Sequence, residues 1–497
     1  MSPSRLPIRA LACGVALASA AAHVGAADAD AASPTLRNSL SLTLAPAPLA
    51  QAGTGTMATP WVLPTGVAQP GSDTCRLQDG AGQGFLTLSR ALELILCRSP
   101  GLRQALANVR EQSANVELAD LAWRPSVNLY AERASNRIPT SNSGSGSLSE
   151  SLTGSMGVSW VIFDFGVRSA NLEQARQSLA SAIASQDAAA LVTLRDALKL
   201  YVDASAAWAR LDALREAELL ARQSADAARA KHEALVGSLS EKLQAETALA
   251  QATLDRVRAN GAWRAAAAAL SISMGLPASA TLQLPDAKTG FPELGDEVPD
   301  ATALEALREQ HPRVLALQAD ARALKARLES VRADGRGSLN LSGSVAATRQ
   351  LGQSAAGVDR SISTSLLASI PLFNGAEQKA REAQVLSQIA ARDAVLTAAQ
   401  RDIDTTLVLA AQQLEIERQG QQAARALLIA ATQGYDVALG RYRAGVGSII
   451  ELLGAQSALS SAQSQALQAV IARANAQIGL AVAAGRLGGM TSAVRKP

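Results

Sequence analysis

Two four-residue motifs carry the spacing with the most chemical content: Ser238-Leu239-Ser240-Glu241 and Ser448-Ile449-Ile450-Glu451. A serine three residues ahead of a glutamate, placed where a helix begins, predicts a capping box. The hydroxyl satisfies a free backbone N–H, the carboxylate reaches back to the serine N–H, and its charge suits the positive end of the helix dipole. Each motif follows a short glycine turn, Val236-Gly237-Ser238 in one case and Gly445-Val446-Gly447 in the other. The chemistry on offer is electrostatic, and nothing else suggests catalysis. His23, His232 and His311 are scattered, and His311 reads as a helix-start residue ahead of Pro312. They form no metal-ligand cluster. No phosphate-cradling glycine loop or nucleophile elbow is present. The reading is therefore of a non-enzyme with no cofactor and no metal.

The elements that hold these motifs are very long. A strand with Met156, Val158, Trp160 and Ile162 on one side and Ser155, Gly157, Ser159 and Val161 on the other leads through Phe163-Asp164-Phe165-Gly166 into a helical pattern with no proline until Pro277. The same succession recurs about 210 residues later, where Ile362, Thr364, Leu366, Ala368 and Ile370 alternate with serines and Leu367 before Pro371-Leu372-Phe373-Asn374-Gly375. The chain is an internal duplication. Each long helix, Gly166 to Glu233 and Gly375 to Arg443, would span about 100 Å at ~1.5 Å per residue. Leu191, Leu194, Leu198, Tyr201, Ser205 and Trp208 step by threes and fours as a coiled-coil seam does. Return helices run from Leu239 to about Met274 and from Ile449 to about Leu487. Shorter helices precede the strands: Leu88 to Leu96, Ser99-Pro100 to about Arg124, Ala301 to Glu309, and His311-Pro312 to about Asp334, with proline at the first helical position in two of them.

Composition agrees. Hydrophobic residues make up 48% of the 497 residues and aromatic ones only 3%, a balance that favours long helices over compact mixed cores. A formal charge of +3 without a basic, aromatic-interleaved patch gives no reason to expect nucleic acid. Arg5 and Arg9 before the apolar run Ala10 to Ala22, with Val24-Gly25-Ala26 as a small-residue cleavage site, predict a secretory leader over 1–26. The remaining divisions are a flexible segment 27–84, a first repeat 85–276, a connector 277–300, a second repeat 301–488 and a tail 489–497. Ser141 to Ser151, nearly all Ser and Gly, reads as a loop. Beyond the leader two cysteines remain, Cys75 and Cys97. They are either bridged, in a compartment that permits disulfides, or two free thiols.

All four strands, about ten residues each, alternate apolar residues with Ser, Thr, Asn or Gly, and Tyr130 and Trp160 could serve an interfacial girdle. This is the pattern of a membrane β-barrel wall, although an ordinary antiparallel sheet with one solvated face shares it. Four strands cannot close around a lumen, and lipid does not tolerate open edges. Closure needs several copies of the chain, and three copies would give twelve strands.

Helix, Pro, helix, strand pair, long helix and return helix occur twice. Together with Ser99-Pro100/His311-Pro312, Phe163-Asp164-Phe165-Gly166/Phe373-Asn374-Gly375 and Arg441-Tyr442-Arg443-Ala444-Gly445 ahead of Glu451-Leu452-Leu453, this order resembles the TolC-type outer-membrane efflux proteins over about Leu86 to Leu487. The resemblance implies a mainly α fold with a small transmembrane β part, in which duplicated helical hairpins form a trimeric α-barrel continuous with a 12-stranded β-barrel. It implies a homotrimer in outer-membrane lipid, extending into the periplasm. A periplasmic adaptor (membrane fusion) protein and an inner-membrane transporter would be its partners. Leu96-Cys97-Arg98-Ser99-Pro100 is most similar to type I secretion members, including the exporter of adenylate cyclase-haemolysin toxin; drug-efflux members share the fold, and the cargo stays open between secreted protein and small molecules. A periplasmic coiled-coil adaptor or structural protein without a pore is the alternative.

By the same resemblance, Glu451 matches an acidic position that rings the closed periplasmic entrance, and Glu241 with Tyr442 match positions that hold neighbouring hairpins together. Gly454 stands where related channels carry a second acidic residue and Gly447 replaces a locking arginine, so Arg441 or Arg443 is a further gate candidate. Adaptor docking would use Ala444, Gly445 and Val446 and their counterparts Ala234, Leu235 and Val236, whose other role is simply to make the turns.

Overall fold

A computed structural model describes residues 85–138, 147–285, 301–351 and 357–485. The leader, Cys75 and most of the connector lie outside the described residues. The first repeat comprises α1 (Leu88–Arg98), α2 (Pro100–Leu121), β1 (Ser126–Ile138), β2 (Ser147–Phe163), α3 (Val167–Glu233) and α4 (Leu239–Ser273). In the second are α5 (Ala301–Gln310), α6 (Pro312–Asp334), β3 (Ser338–Leu351), β4 (Val358–Ser369), α7 (Glu377–Arg443) and α8 (Ile449–Ala483). Local signals set the helix starts. Thr87 and Ser99 accept from the backbone N–H of Arg90 and Leu102, and Nδ1 of His311 accepts from the N–H of Arg313, the helix-start role its position predicted.

Helices α3 and α7 are 67 residues each, about 100 Å. Along α3 lie α2 and α4, and along α7 lie α6 and α8; α6 also packs on α3, so the two repeats interleave. The seam on α3 is as expected: Leu191, Leu194, Leu198, Tyr201 and Ser205 are buried, and the half-buried Trp208 meets Trp263 with ring centroids 5.2 Å apart. Around it the largest core gathers Leu88 and Ile95 of α1, Leu270 of α4, Ile478 of α8 and Met274. Tyr201 donates its hydroxyl to the carbonyl of Leu86 at 3.1 Å. Helix α8 is long and apolar enough to cross a membrane by composition, yet Leu480 and Ala476 are buried against Leu414 of α7. Cys97 is disulfide-bonded, its partner lying outside the described residues.

The four strands form one antiparallel sheet in the order β1-β2-β3-β4, so the two predicted hairpins are joined through β2 and β3. The strands hold 13, 17, 14 and 12 residues, longer than the ten expected. The predicted loop Ser141 to Ser151 is corrected in its second part, because Ser147 to Ser151 belong to β2; 141–146 lie outside the described residues. Serine and glycine read locally as loop, but here β1 pairs the segment throughout, and β3 joins from Glu150 onward.

One face of the sheet carries rows such as Ser126, Ser159, Ser342 and Ser365, with hydroxyl pairs Ser126–Ser159 at 2.7 Å and Ser344–Ser363 at 2.8 Å. The other carries rows such as Leu129, Met156, Val345 and Ile362. Trp160 is on the apolar face, where its indole N–H donates to the carbonyl of Trp123. Tyr130, opposite Ser155, is on the serine face and belongs to no lipid-facing girdle; its alternation partner fixed that face, and a bulky ring does not change it.

Between β2 and α3 the chain bends through Phe165 and Gly166, both at positive φ. Asp164 and Arg168 form a buried ion pair there at 2.8 Å. Arg168 also donates to the carbonyl of Val161 and lies 4.3 Å over the ring of Trp123. Burial alone would push the Asp164 carboxyl up, but hydrogen bonds from Arg168 and Gly166 and the Arg168 charge hold it below its usual value.

Candidate functional site

The two helix-to-helix turns repeat one backbone design. In the first, the N–H of Leu235 donates to the carbonyl of His232, and those of Val236 and Gly237 both donate to the carbonyl of Lys231. In the second, Gly445 donates to Tyr442, while Val446 and Gly447 both donate to Arg441. This is the Schellman arrangement, which needs a left-handed residue just past the helix. Gly445 supplies it at φ 77, whereas the first turn places Leu235 there at φ 60. A Cβ on Gly447 would meet Arg441 Cβ at 2.9 Å, so an arginine cannot occupy this position without moving the turn; around Gly454 the space is open.

The capping boxes differ. Ser238 and Glu241 make the full reciprocal pair, with bonds of 3.2 and 3.3 Å. Ser448 caps the N–H of Glu451 at 3.2 Å, but the Glu451 carboxylate does not reach back as predicted; it pairs with Nε of Arg441 at 3.3 Å. The reason is local, since the counterpart of Arg441 in the first turn is Lys231, which is engaged elsewhere.

Nζ of Lys231 stands 3.7 Å from the centroid of the Tyr442 ring, a cation–π contact that joins the first hairpin to the second. Tyr442 is buried in a cluster with Tyr435, Ala438, Ile449, Leu452 and Leu459, flanked by Leu220 of α3. So the structure joins Arg441 to Glu451 and Tyr442 to Lys231, and leaves Glu241 in its own cap. Arg443 stays exposed, and its charge partly offsets the upward push that burial gives the hydroxyl pKa of Tyr435. Lys231 was missed from the sequence. The available signal was its place about 210 residues before Arg441, which puts a cation at the same step of both turns.

The six docking candidates cap the turns and are exposed; Leu235, Val236 and Val446 are 92%, 79% and 71% accessible. Between the two hairpins runs an open groove of about 1350 Å³ lined by Trp208, Asp212, Asp255, Arg425, Gln456 and Ser464. Among the described residues no group of three His, Cys, Asp or Glu is placed to hold a metal ion.

The model of a family described as outer membrane efflux protein matches residues 91–276 and 303–486. Protein CyaE of Bordetella pertussis is 32% identical over 408 residues, 82% of this chain and 85% of that protein. Nodulation protein T of Rhizobium leguminosarum bv. viciae is 24% identical over 80% of this chain and 82% of its own. Among solved structures, the open-state MtrE outer membrane channel of Neisseria gonorrhoeae aligns with a TM-score of 0.68 at 22% identity, covering 80% of this chain and 89% of that one.

Proposed function

The chain belongs to the outer membrane efflux protein family, and from that premise we propose a homotrimeric exit duct that takes a secreted polypeptide from an inner-membrane transporter, through a periplasmic adaptor, to the outside. It is an outer-membrane channel protein whose helices extend into the periplasm. The observation that carries the trimer is the open sheet. Among the described residues β1 and β4 each have one unpaired edge, lipid does not accept such edges, and three copies close twelve strands into a barrel. Similarity of Leu96-Cys97-Arg98-Ser99-Pro100 to type I secretion members supports a polypeptide cargo. The leader over 1–26 delivers the chain across the inner membrane.

The helical turns form the periplasmic entrance in this reading. Glu451, Arg441 and Arg443 set the charge around the aperture, and Tyr442 with Lys231 holds the hairpins together. Glu241 stiffens the first turn. Ala234, Leu235 and Val236 and Ala444, Gly445 and Val446 offer apolar tips to the adaptor. Because Arg441 offsets Glu451 and Arg443 adds a further positive charge, the entrance is weakly cationic, unlike a bare acidic ring.

Single-channel recording in planar bilayers tests this. Wild type should form stable pores with a weak anion preference, Arg441→Ala should shift the preference toward cations and Glu451→Ala should strengthen it toward anions. Well-folded protein without conductance would return the adaptor reading.

A further inference from the structure

The sheet sorts charge by sign as well as by polarity. On the apolar face, Arg133, Leu152, Arg349 and Val358 stand in one row across β1 to β4, and Ala131, Gly154, Ala347 and Arg360 form the next row toward the helices. On the serine face at that level stand Glu132 and Asp359. Cations are thus outside and carboxylates inside. The exception, Glu150, is paired with Arg133 at 3.1 Å. Arg349 and Arg360 are exposed and have no ion pair among the described residues.

Height decides what these arginines meet. Counted from Ser126, Ser338 and Ser369, they lie about 24 to 37 Å along their strands. At a tilt of about 40° that is roughly 18 to 28 Å above the helix junction, the upper third and edge of an apolar band about 25 Å tall that begins at that junction. A lipid-facing arginine is costly at the midplane and costs close to nothing at the interface, and its stem can carry the guanidinium further outward. The planar fork of a guanidinium matches phosphate with two parallel hydrogen bonds.

We propose that Arg133, Arg349 and Arg360 bind the phosphate groups of lipid in the extracellular leaflet, a phosphorylated glycolipid of the lipid A type. The proposal rests on the outer-membrane barrel reading. Arg133 is on one edge strand and Arg360 on the other, so closure by further copies brings the edges that carry them together in neighbouring protomers.

The test uses the full-length trimer in nanodiscs holding either bisphosphorylated lipid A or its dephosphorylated form, with retained lipid counted by native mass spectrometry and conductance recorded in parallel. Wild type should prefer the phosphorylated lipid by about tenfold, and the double variant Arg349→Gln/Arg360→Gln should lose the preference while still conducting. Equal retention of both lipids by wild type, or an unchanged preference in the variant, overturns the proposal. So does displacement of lipid A by millimolar inorganic phosphate, which would make the site one for free anions. Trimers that fail to insert or conduct would overturn the barrel reading and the proposal with it.

Discussion

Replacing Lys231 by methionine asks whether the two hairpins of each chain are clasped at the turn end by a charge on a ring. Nζ lies 3.7 Å from the Tyr442 centroid; the lysine is half-buried and the tyrosine buried. Cation–π contacts run from about 0.5 kcal/mol when exposed to about 2 when desolvated, which gives about 1 kcal/mol here. Methionine keeps the apolar stem and removes only the charge. If the three clasps of a trimer break together on opening, the closed state loses about 3 kcal/mol, roughly a 150-fold shift in the closed-to-open ratio.

Open-state dwell time in planar bilayers is the assay. Lys231→Met should lengthen it strongly. Tyr442→Phe should leave it near wild type, because the ring face and not the hydroxyl meets the ammonium. Lys199→Met is the control for a lost charge, since Lys199 pairs with Asp203 on the exposed face of α3. Two results would refute the reasoning. Lys231→Met with wild-type dwell times would mean the contact does not hold the closed state. Tyr442→Phe opening the channel as far as Lys231→Met would mean a hydrogen bond from the hydroxyl does the holding.

Two further predictions concern stability. Gly447→Arg should lower stability by about 1–3 kcal/mol, because its Cβ must displace Arg441 and the Tyr442 backbone; Gly454→Asp, in open space, should stay within about 0.5 kcal/mol. Equal shifts in thermal midpoint for the two would show that the turn is not tightly packed. Burial lifts the carboxyl pKa of Asp187 on α3 from 3.8 to about 6, so between those values the folded chain holds a proton the unfolded chain has released. Stability therefore falls as pH rises through that window. Asp187→Asn should remove the fall, about 1 kcal/mol after allowance for partial exposure. Urea midpoints at pH 5 and pH 7.5 measure it, and an unchanged pH slope in the variant would refute the assignment.

Much of the fold was legible because its signals are local. Ser99-Pro100 and His311-Pro312 restart helices, the Leu191-to-Ser205 spacing marks a buried seam, and strand alternation names the two faces. What was not legible depends on partners distant in sequence. Ser147 to Ser151 is a strand only because β1 and β3 cover it. The contact of Lys231 with Tyr442 spans the two repeats, which no periodicity within either one can announce.

The duplication explains how one backbone carries two chemistries. At the turns, Lys231 and Arg441, Leu235 and Gly445, and Glu241 and Glu451 are equivalent pairs with matching main-chain hydrogen bonds. Yet the first glutamate is committed to its own serine and the second to an arginine. At the strand-to-helix junctions the asymmetry is reversed in sense. Asp164 and Arg168 make a buried charged knot, while their counterparts Asn374 and Gln378 are neutral, Gln378 donating to the carbonyl of Val331 at 2.6 Å. Breaking a buried pair by removing one partner costs about 3–5 kcal/mol, whereas an exposed pair is worth about 1 or less. The first repeat therefore fixes its junction to the sheet firmly, and the second carries a weak, exposed pair at the turn. In the proposed duct a gate must open with modest energy, which would set the movable chemistry at Arg441 and Glu451 and the rigid anchor at Asp164 and Arg168.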